Sequence, residues 1–338
     1  MKLTELLSGI ETLQRAGAPE TDITSLGFDS RHATAGQLFF AVKGSASDGH
    51  DYMAQATANG AAAVVCERLP EEPFPGVAYI VVADSSAALG TIASRFYGEP
   101  SHKLKLVGVT GTNGKTTTAT LLYDLFRRLG YKAGLISTVV YRIDNETLPS
   151  THTTPDAIRL NAMLAEMAER GCDYCFMEVS SHSIVQERIA GLTFAGGIFT
   201  NITHEHLDYH GTFAEYIRAK KRFFDRLLKG AFALVNADDR NGAVMVQNSA
   251  ATTYTYALRS FSDFRCRILE NTPEGMLLEL DGQQVWTRFL GRFNAYNLAA
   301  VYGAARLLGA DCDETLQALS TLTPVNGRFD TLHSPDGI

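Results

Sequence analysis

The stretch "LKLVGVTGTNGKTTTATLLYDLF", residues 104–126, decides the fold. Its first seven residues form an apolar run of strand length, Gly111 and Gly114 bracket a turn, and a helix is expected over 115–129. The general nucleotide-loop pattern G-x-x-x-x-G-K-[ST] is not met, because its first glycine would fall on Val109. What stands here is the tighter Thr110-Gly111-Thr112-Asn113-Gly114-Lys115-Thr116-Thr117. A glycine turn between strand and helix lets successive N–H groups surround an anion at the helix N-terminus, where the helix dipole also favours negative charge. Lys115 is placed to reach the β- and γ-phosphates, and the Thr116 hydroxyl to join a Mg²⁺ shell. The plainer reading is a strand-to-helix turn that happens to contain Gly and Lys. The loop points to ATP or GTP without naming a reaction.

Outward from this loop, the chain reads as α/β. Residues 1–97 hold short β-type runs ("SLGFDS", "QLFFAVKG", "AAAVVCE", "AYIVVAD") alternating with helical stretches such as "SSAALGTIASRFYG", and form a small first domain. A central domain over 98–328 opens with the linker "GEPSHK". Its runs "LKLVGVT", "YCFMEV", "GGIFTNI" and "AFALVNAD" suit a mainly parallel sheet covered on both faces. Residues 329–338 read as a connector.

Composition bounds the function. The 338 residues are 45% hydrophobic and 20% charged with a net charge of −7, which argues against a general nucleic-acid binder. Glu5 and Glu11 interrupt the N-terminus, so a signal peptide is not expected, and no apolar run reaches membrane-spanning length. Five cysteines form no even framework, which suits a reduced, cytoplasmic protein. Cys172-Asp-Tyr-Cys175 has redox or zinc spacing but no second pair, and reads as structural thiols.

Two further loops should converge on the phosphate, since ligands of a parallel sheet sit at the carboxyl ends of its strands. Glu178 ends "YCFMEV" and is followed by Ser180-Ser181-His182; after "GGIFTNI" comes "THEHLDYHG", with His204, His206, Asp208 and His210. Such a concentration of histidines at a strand end favours at least one metal or phosphate contact. The helix expected from Phe213, capped by Thr212, places Phe213, Ile217, Phe224 and Leu227 on one face, with Lys220 in its middle. A lysine there must snorkel, find an anion, or become neutral. A neutral amine near Mg²⁺ also has the option of reacting with CO₂ to give a carbamate, an oxygen ligand.

Taken together, "TGTNGKTTT", "MEVSSH", "NITHEHLDYHG", "YIRAKKRFF" and "GRFNAYNLAA" resemble, in order and spacing, the Mur ligases, ATP-dependent amide ligases of bacterial cell-wall synthesis. The resemblance covers essentially the whole chain. Through "DSRHATAGQLFFAVKG", "THTTPD" and "HLDYHG" it implies addition of a diamino acid, meso-diaminopimelate or L-lysine, to UDP-N-acetylmuramoyl-L-alanyl-D-glutamate. It implies a uridine-nucleotide contact at Ser30, and sugar–peptide contacts at Thr153, Thr154, Ser180, Gln186 and Arg188. It assigns two Mg²⁺ ions to Thr116, Glu178, His206 and a carbamylated Lys220 that requires CO₂. ATP would meet Gly111, Thr112, Asn113, Gly114, Lys115, Thr116 and Thr117, with Asn294 and Asn297 at the adenine end and Arg328 at the phosphates. Thr154-Pro155 reads independently as an N-cap and first helical residue.

The loop "GSASDG", 44–49, departs from the resemblance: relatives often have bulkier polar residues at Ser45 and Ala46, so direct side-chain contact with uracil is not expected there. A C-terminal Rossmann-like domain that would select the amino acid is also expected in the family and is not found in these residues. Two of three domains, inactive alone and monomeric, are therefore the expectation. Rival readings are a folylpolyglutamate-synthase-like ligase, which should lack a domain like 1–97, a binding fragment without catalysis, and a regulatory switch protein.

Overall fold

The computed structural model describes residues 1–17, 20–44 and 47–324, which form two compact units. The first comprises residues 1–101 together with 155–165 and 185–192; the second holds the rest.

In the first unit, strands β1 (Gln14–Ala16), β2 (Ser25–Gly27), β3 (Gln37–Phe40), β4 (Ala63–Cys66) and β5 (Ala78–Val81) lie in the order β1-β5-β4-β3-β2, all parallel except β1. Alternate side chains of a strand point to opposite faces. Leu38, Phe40, Val65 and Ile80 pack with Leu3, Leu6 and helix Ser85–Phe96, while Phe39, Val64, Cys66 and Tyr79 pack with Met53 and Ala56 of helix Met53–Ala58. Cover on both faces is why these strands read as continuous apolar runs.

The second unit is built on one sheet of eleven strands. In chain order these are β6 (Lys105–Thr110), β7 (Ala133–Ile136), β8 (Val140–Ile143), β9 (Glu146–Pro149), β10 (Tyr174–Glu178), β11 (Gly196–Phe199), β12 (Phe232–Asn236), β13 (Thr252–Ala257), β14 (Phe264–Thr272), β15 (Gly275–Leu280) and β16 (Gln283–Thr287). The spatial order is β16-β15-β14-β13-β12-β11-β6-β10-β7-β8-β9. From β14 to β7 every pairing is parallel, and an antiparallel extension closes each edge. The sheet is thus mainly parallel, as expected, with antiparallel edges that the apolar runs did not disclose. Asp281-Gly282, with both residues at positive φ, turns β15 into β16 and is the sequence signal for that hairpin.

The strand β6 lies between β10 and β11, so the chain winds to both sides of it, and its carboxyl end opens into the crevice where such sheets bind ligands. Cys172 and Cys175 are buried free thiols, and burial pushes both above the ordinary thiol range. Among the described residues no helix is long and apolar enough to cross a membrane.

Candidate active site

Helix Lys115–Arg128 follows β6 through the glycine turn. Gly111 (φ 153°) and Gly114 (φ 86°) both adopt positive φ, and neither has room for a side chain: a Cβ on Gly111 would lie 1.9 Å from Thr200 Oγ1, and one on Gly114 2.5 Å from Asn297 Oδ1. The Lys115 ammonium curls back to donate to the carbonyls of Gly111 (3.0 Å) and Thr112 (2.8 Å), and Thr116 is buried in the first turn.

Lys220 reaches the same place from another element. Gly108 of β6 and Gly197 of β11 are register partners, and together they make a flat floor on the sheet. Phe223 fills it, its ring 2.6 Å and 2.8 Å from where the two Cβ atoms would be. This contact sets the roll of helix Phe213–Asp225. The buried face therefore runs through Tyr216, Ala219, Lys220, Phe223 and Phe224 rather than through Phe213 and Ile217, which are half-buried. Lys220 stays central and 1% exposed. Its Nζ donates to the Gly111 carbonyl at 2.8 Å and lies 4.6 Å from the centre of the Tyr216 ring. Burial, and then the Lys115 charge, lower its pKa well below the usual lysine value, with Glu205 opposing. Two lysines thus converge on one carbonyl oxygen. Thr212 caps this helix as expected, its Oγ1 accepting from the Glu215 N–H at 3.2 Å.

Glu178 ends β10 fully buried. Its Oε1 accepts from the Thr138 N–H (2.6 Å) and its Oε2 from the Thr138 hydroxyl (3.2 Å), and no lysine or arginine among the described residues pairs with it. A buried carboxylate without a basic partner suits a cation. The Thr138 hydroxyl also accepts from the Thr153 hydroxyl at 3.1 Å, so it joins Glu178 to the "THTTPD" loop. It carried no signal in the sequence. The Thr154 hydroxyl donates to the Glu178 carbonyl (2.8 Å) and accepts from the Ser180 N–H (3.3 Å). The expected helix cap at Thr154 is corrected accordingly. Asp156 does the capping, its Oδ1 accepting from the Arg159 N–H at 3.0 Å, and the helix begins at Ala157. The threonine is drawn away by the strand-end carbonyl, and the better acceptor two residues on takes its place.

The histidines divide. His206 is exposed, at φ 56°, with its ring 5.3 Å from that of His182 and 6.0 Å from that of Tyr216. The ring of His210 lies within hydrogen-bond distance of the Ser181 hydroxyl (2.9 Å), and burial, then His182, lower its pKa. His204 turns aside and stacks on Phe213 at 4.1 Å. Among the described residues no three His, Cys, Asp or Glu side chains gather as a metal cluster. A divalent ion here would need hydroxyl, phosphate, water or modified-lysine oxygens beside Glu178 and His206.

Helix Arg292–Leu307 brings Asn297 against Gly114, and Asn297 Nδ2 donates to Asn294 Oδ1 at 3.3 Å. In the first unit, the buried Ser30 hydroxyl donates to Gln55 Oε1 at 2.7 Å. Arg188 donates to Gln186 Oε1 from both Nε (2.9 Å) and Nη2 (2.6 Å). Arg328 and the Ser45-Ala46 pair lie outside the described residues.

A phosphate-ready loop, a buried acid and a buried lysine at the carboxyl edge of a parallel sheet define a nucleotide-using α/β protein. Comparison sharpens this. The Mur ligase middle domain matches residues 109–305, and the Mur ligase family catalytic domain matches residues 22–97. The chain is 56% identical over 338 residues to the UDP-N-acetylmuramoyl-L-alanyl-D-glutamate--2,6-diaminopimelate ligase of Bacteroides thetaiotaomicron, covering 100% of this chain and 70% of that protein. The same-named ligase of Geobacillus thermodenitrificans is 39% identical over 363 residues, covering 100% and 73%. A solved structure of a ligase of that name superposes with a TM-score of 0.82 at 27% identity, over 92% of this chain and 65% of that one. MurF from Acinetobacter baumannii, at 23% identity and a TM-score of 0.66 over 98% and 70%, shares the fold. The chain belongs to the Mur ligase family.

Proposed function

We propose that the protein joins 2,6-diaminopimelate to UDP-N-acetylmuramoyl-L-alanyl-D-glutamate at the expense of ATP, in the cytoplasm and as a monomer. The choice of diaminopimelate over lysine is supported by the names of the relatives at 56% and 39% identity. The observation that carries the mechanism is the meeting of Lys115 and Lys220 on the Gly111 carbonyl.

The chemistry is two transfers. The substrate carboxylate attacks the γ-phosphorus of ATP, giving an acyl phosphate and ADP; the amine of the diamino acid then attacks the acyl carbon and phosphate leaves. Both anions must be brought together, so charge neutralisation and positioning supply most of the rate. Lys115 leaves its two loop carbonyls for the β- and γ-phosphates. Asn294 and Asn297 serve the adenine end, and Arg328 the phosphates. Ser30 serves the uridine nucleotide, and Thr153, Thr154, Ser180, Gln186 and Arg188 serve the sugar–peptide.

Magnesium would be held by Thr116, Glu178, His206 and Lys220, and when bound it offsets the charge building between the two anions. Lys220 fits that set only if its nitrogen has become a carbamate, since an ammonium would repel the ion. Burial and the neighbouring Lys115 favour the uncharged amine that reacts with CO₂.

The test is phosphate release by the full-length protein with ATP and the UDP-dipeptide. Release that depends on diaminopimelate, with lysine much poorer, supports the reading. Release that needs no amino acid, or favours lysine, overturns it.

A further inference from the structure

The loop after β11 does more than lead to the histidines. We propose that Thr200 and Asn201 are positioning residues for phosphoryl transfer, a clamp that holds the middle of the phosphate loop in register; this rests on the nucleotide reading above.

Both backbone groups of Asn113 are committed to these two residues. Its N–H donates to Asn201 Oδ1 at 2.9 Å, and its carbonyl accepts from Asn201 Nδ2 (3.0 Å) and from the Thr200 hydroxyl (2.6 Å). The stitching continues on both sides. The Thr112 N–H donates to the Asn201 carbonyl at 2.8 Å, and Thr112 Oγ1 accepts from the Thr203 N–H at 2.9 Å and meets the Tyr216 hydroxyl at 3.2 Å. Thr200 Oγ1 also fills the space beside Gly111 that a Cβ would need.

The Asn113 amide is therefore withdrawn from any anion. The helix that follows begins at Lys115, and its first turn is where a helix offers N–H groups to external acceptors. The clamp fixes where that turn begins, and with it where the γ-phosphate sits relative to the attacking carboxylate. Loss of the clamp leaves the donors present but misplaced, and small misplacements in such sites act on turnover more than on binding.

The test uses Thr200→Val, which keeps shape but removes the donor, Thr200→Ser, which keeps the donor, and Asn201→Ala, all in the full-length protein. Two readouts are taken: amide hydrogen exchange over residues 110–116 without nucleotide, and steady-state kinetics. Val and Ala variants should exchange faster across this segment, with kcat lowered about tenfold or more. The KM for the UDP-dipeptide should stay within about twofold, because the loss falls on positioning rather than on ground-state binding. Thr200→Ser should restore both readouts. Unchanged exchange in both variants, or turnover loss that Thr200→Ser fails to rescue, overturns the clamp. Should Asn201→Ala fail to fold, Thr200→Val carries the test. Wild-type protein that ligates nothing would instead sink the functional reading; the clamp would then be judged on exchange over residues 110–116 alone, and unchanged exchange in both variants would overturn it.

Discussion

His50 in the first unit and Lys220 in the second are both basic side chains held almost wholly out of solvent, at 6% and 1% exposure. Their surroundings differ in kind. His50 Nε2 accepts the Glu67 N–H at 2.8 Å, which puts the ring proton on Nδ1, facing Asp48 Oδ1 at 2.6 Å. The Asp48 carboxyl, held by the His50 backbone N–H and ring and by Arg68, is pulled down to about 2. Every polar atom of that histidine has its complement, as a buried group requires for stability alone. Lys220 receives a carbonyl, an aromatic face and a second lysine. His50 has the full set of partners that stability requires, whereas the surroundings of Lys220 fit the carbamate proposed for it.

The comparison breaks first at Lys220. Lys220→Arg keeps the charge and cannot form a carbamate, so ligation should fall about a thousandfold or more, the scale of losing a main electrostatic contributor. Lys220→Ala should fall as far, yet recover in part with a high concentration of acetate. Full activity in Lys220→Arg would place this lysine in the same structural class as His50.

Lys115 comes next. Lys115→Ala should lower ATP-dependent phosphate release about a hundredfold or more. Calorimetry should find UDP-dipeptide binding nearly intact, and equal loss of both ligands would contradict the division of labour between the units. Arg188→Lys should then raise the KM for the UDP-dipeptide about tenfold while leaving that for ATP alone, since Lys cannot copy a bidentate Arg–carboxylate pair. An unchanged KM would make the Arg188–Gln186 contact structural.

The smallest effect lies on the His50 side. His50→Ala strands the Glu67 N–H and removes a partner of Asp48, which should cost about 1–3 kcal/mol in urea unfolding with kcat unchanged. The sign of its pH dependence follows from Asp48. A carboxyl with a folded pKa below its ordinary value contributes stability above about pH 4, which is lost as pH falls towards about 2. The gap between variant and wild type should therefore narrow on acidification. A gap that widens would contradict the pairing.

What the chain reveals before folding follows from how local each feature is. The phosphate loop, the buried runs of β6, β10, β11 and β12, and the misplaced Lys220 are all legible because apolar period and glycine spacing are local. The roll of the lysine helix is not, because the floor that Phe223 meets is made by Gly108 and Gly197, distant in sequence and joined only by strand register. Thr138, Thr200 and Asn201 likewise act across strands through hydrogen bonds that no spacing encodes. The β15–β16 hairpin carries a turn signal at Asp281-Gly282, but β14 and β16 expose polar residues along most of their length and lack the continuous apolar runs of the central sheet.

The most direct measurement of the central claim is ¹³C NMR of the active full-length protein equilibrated with ¹³C-bicarbonate. The account predicts one protected carbamate carbonyl signal that is absent from Lys220→Arg and that fades, together with ligation, when CO₂ is removed. A fully active protein with no such signal, or a signal that persists in Lys220→Arg, would contradict it.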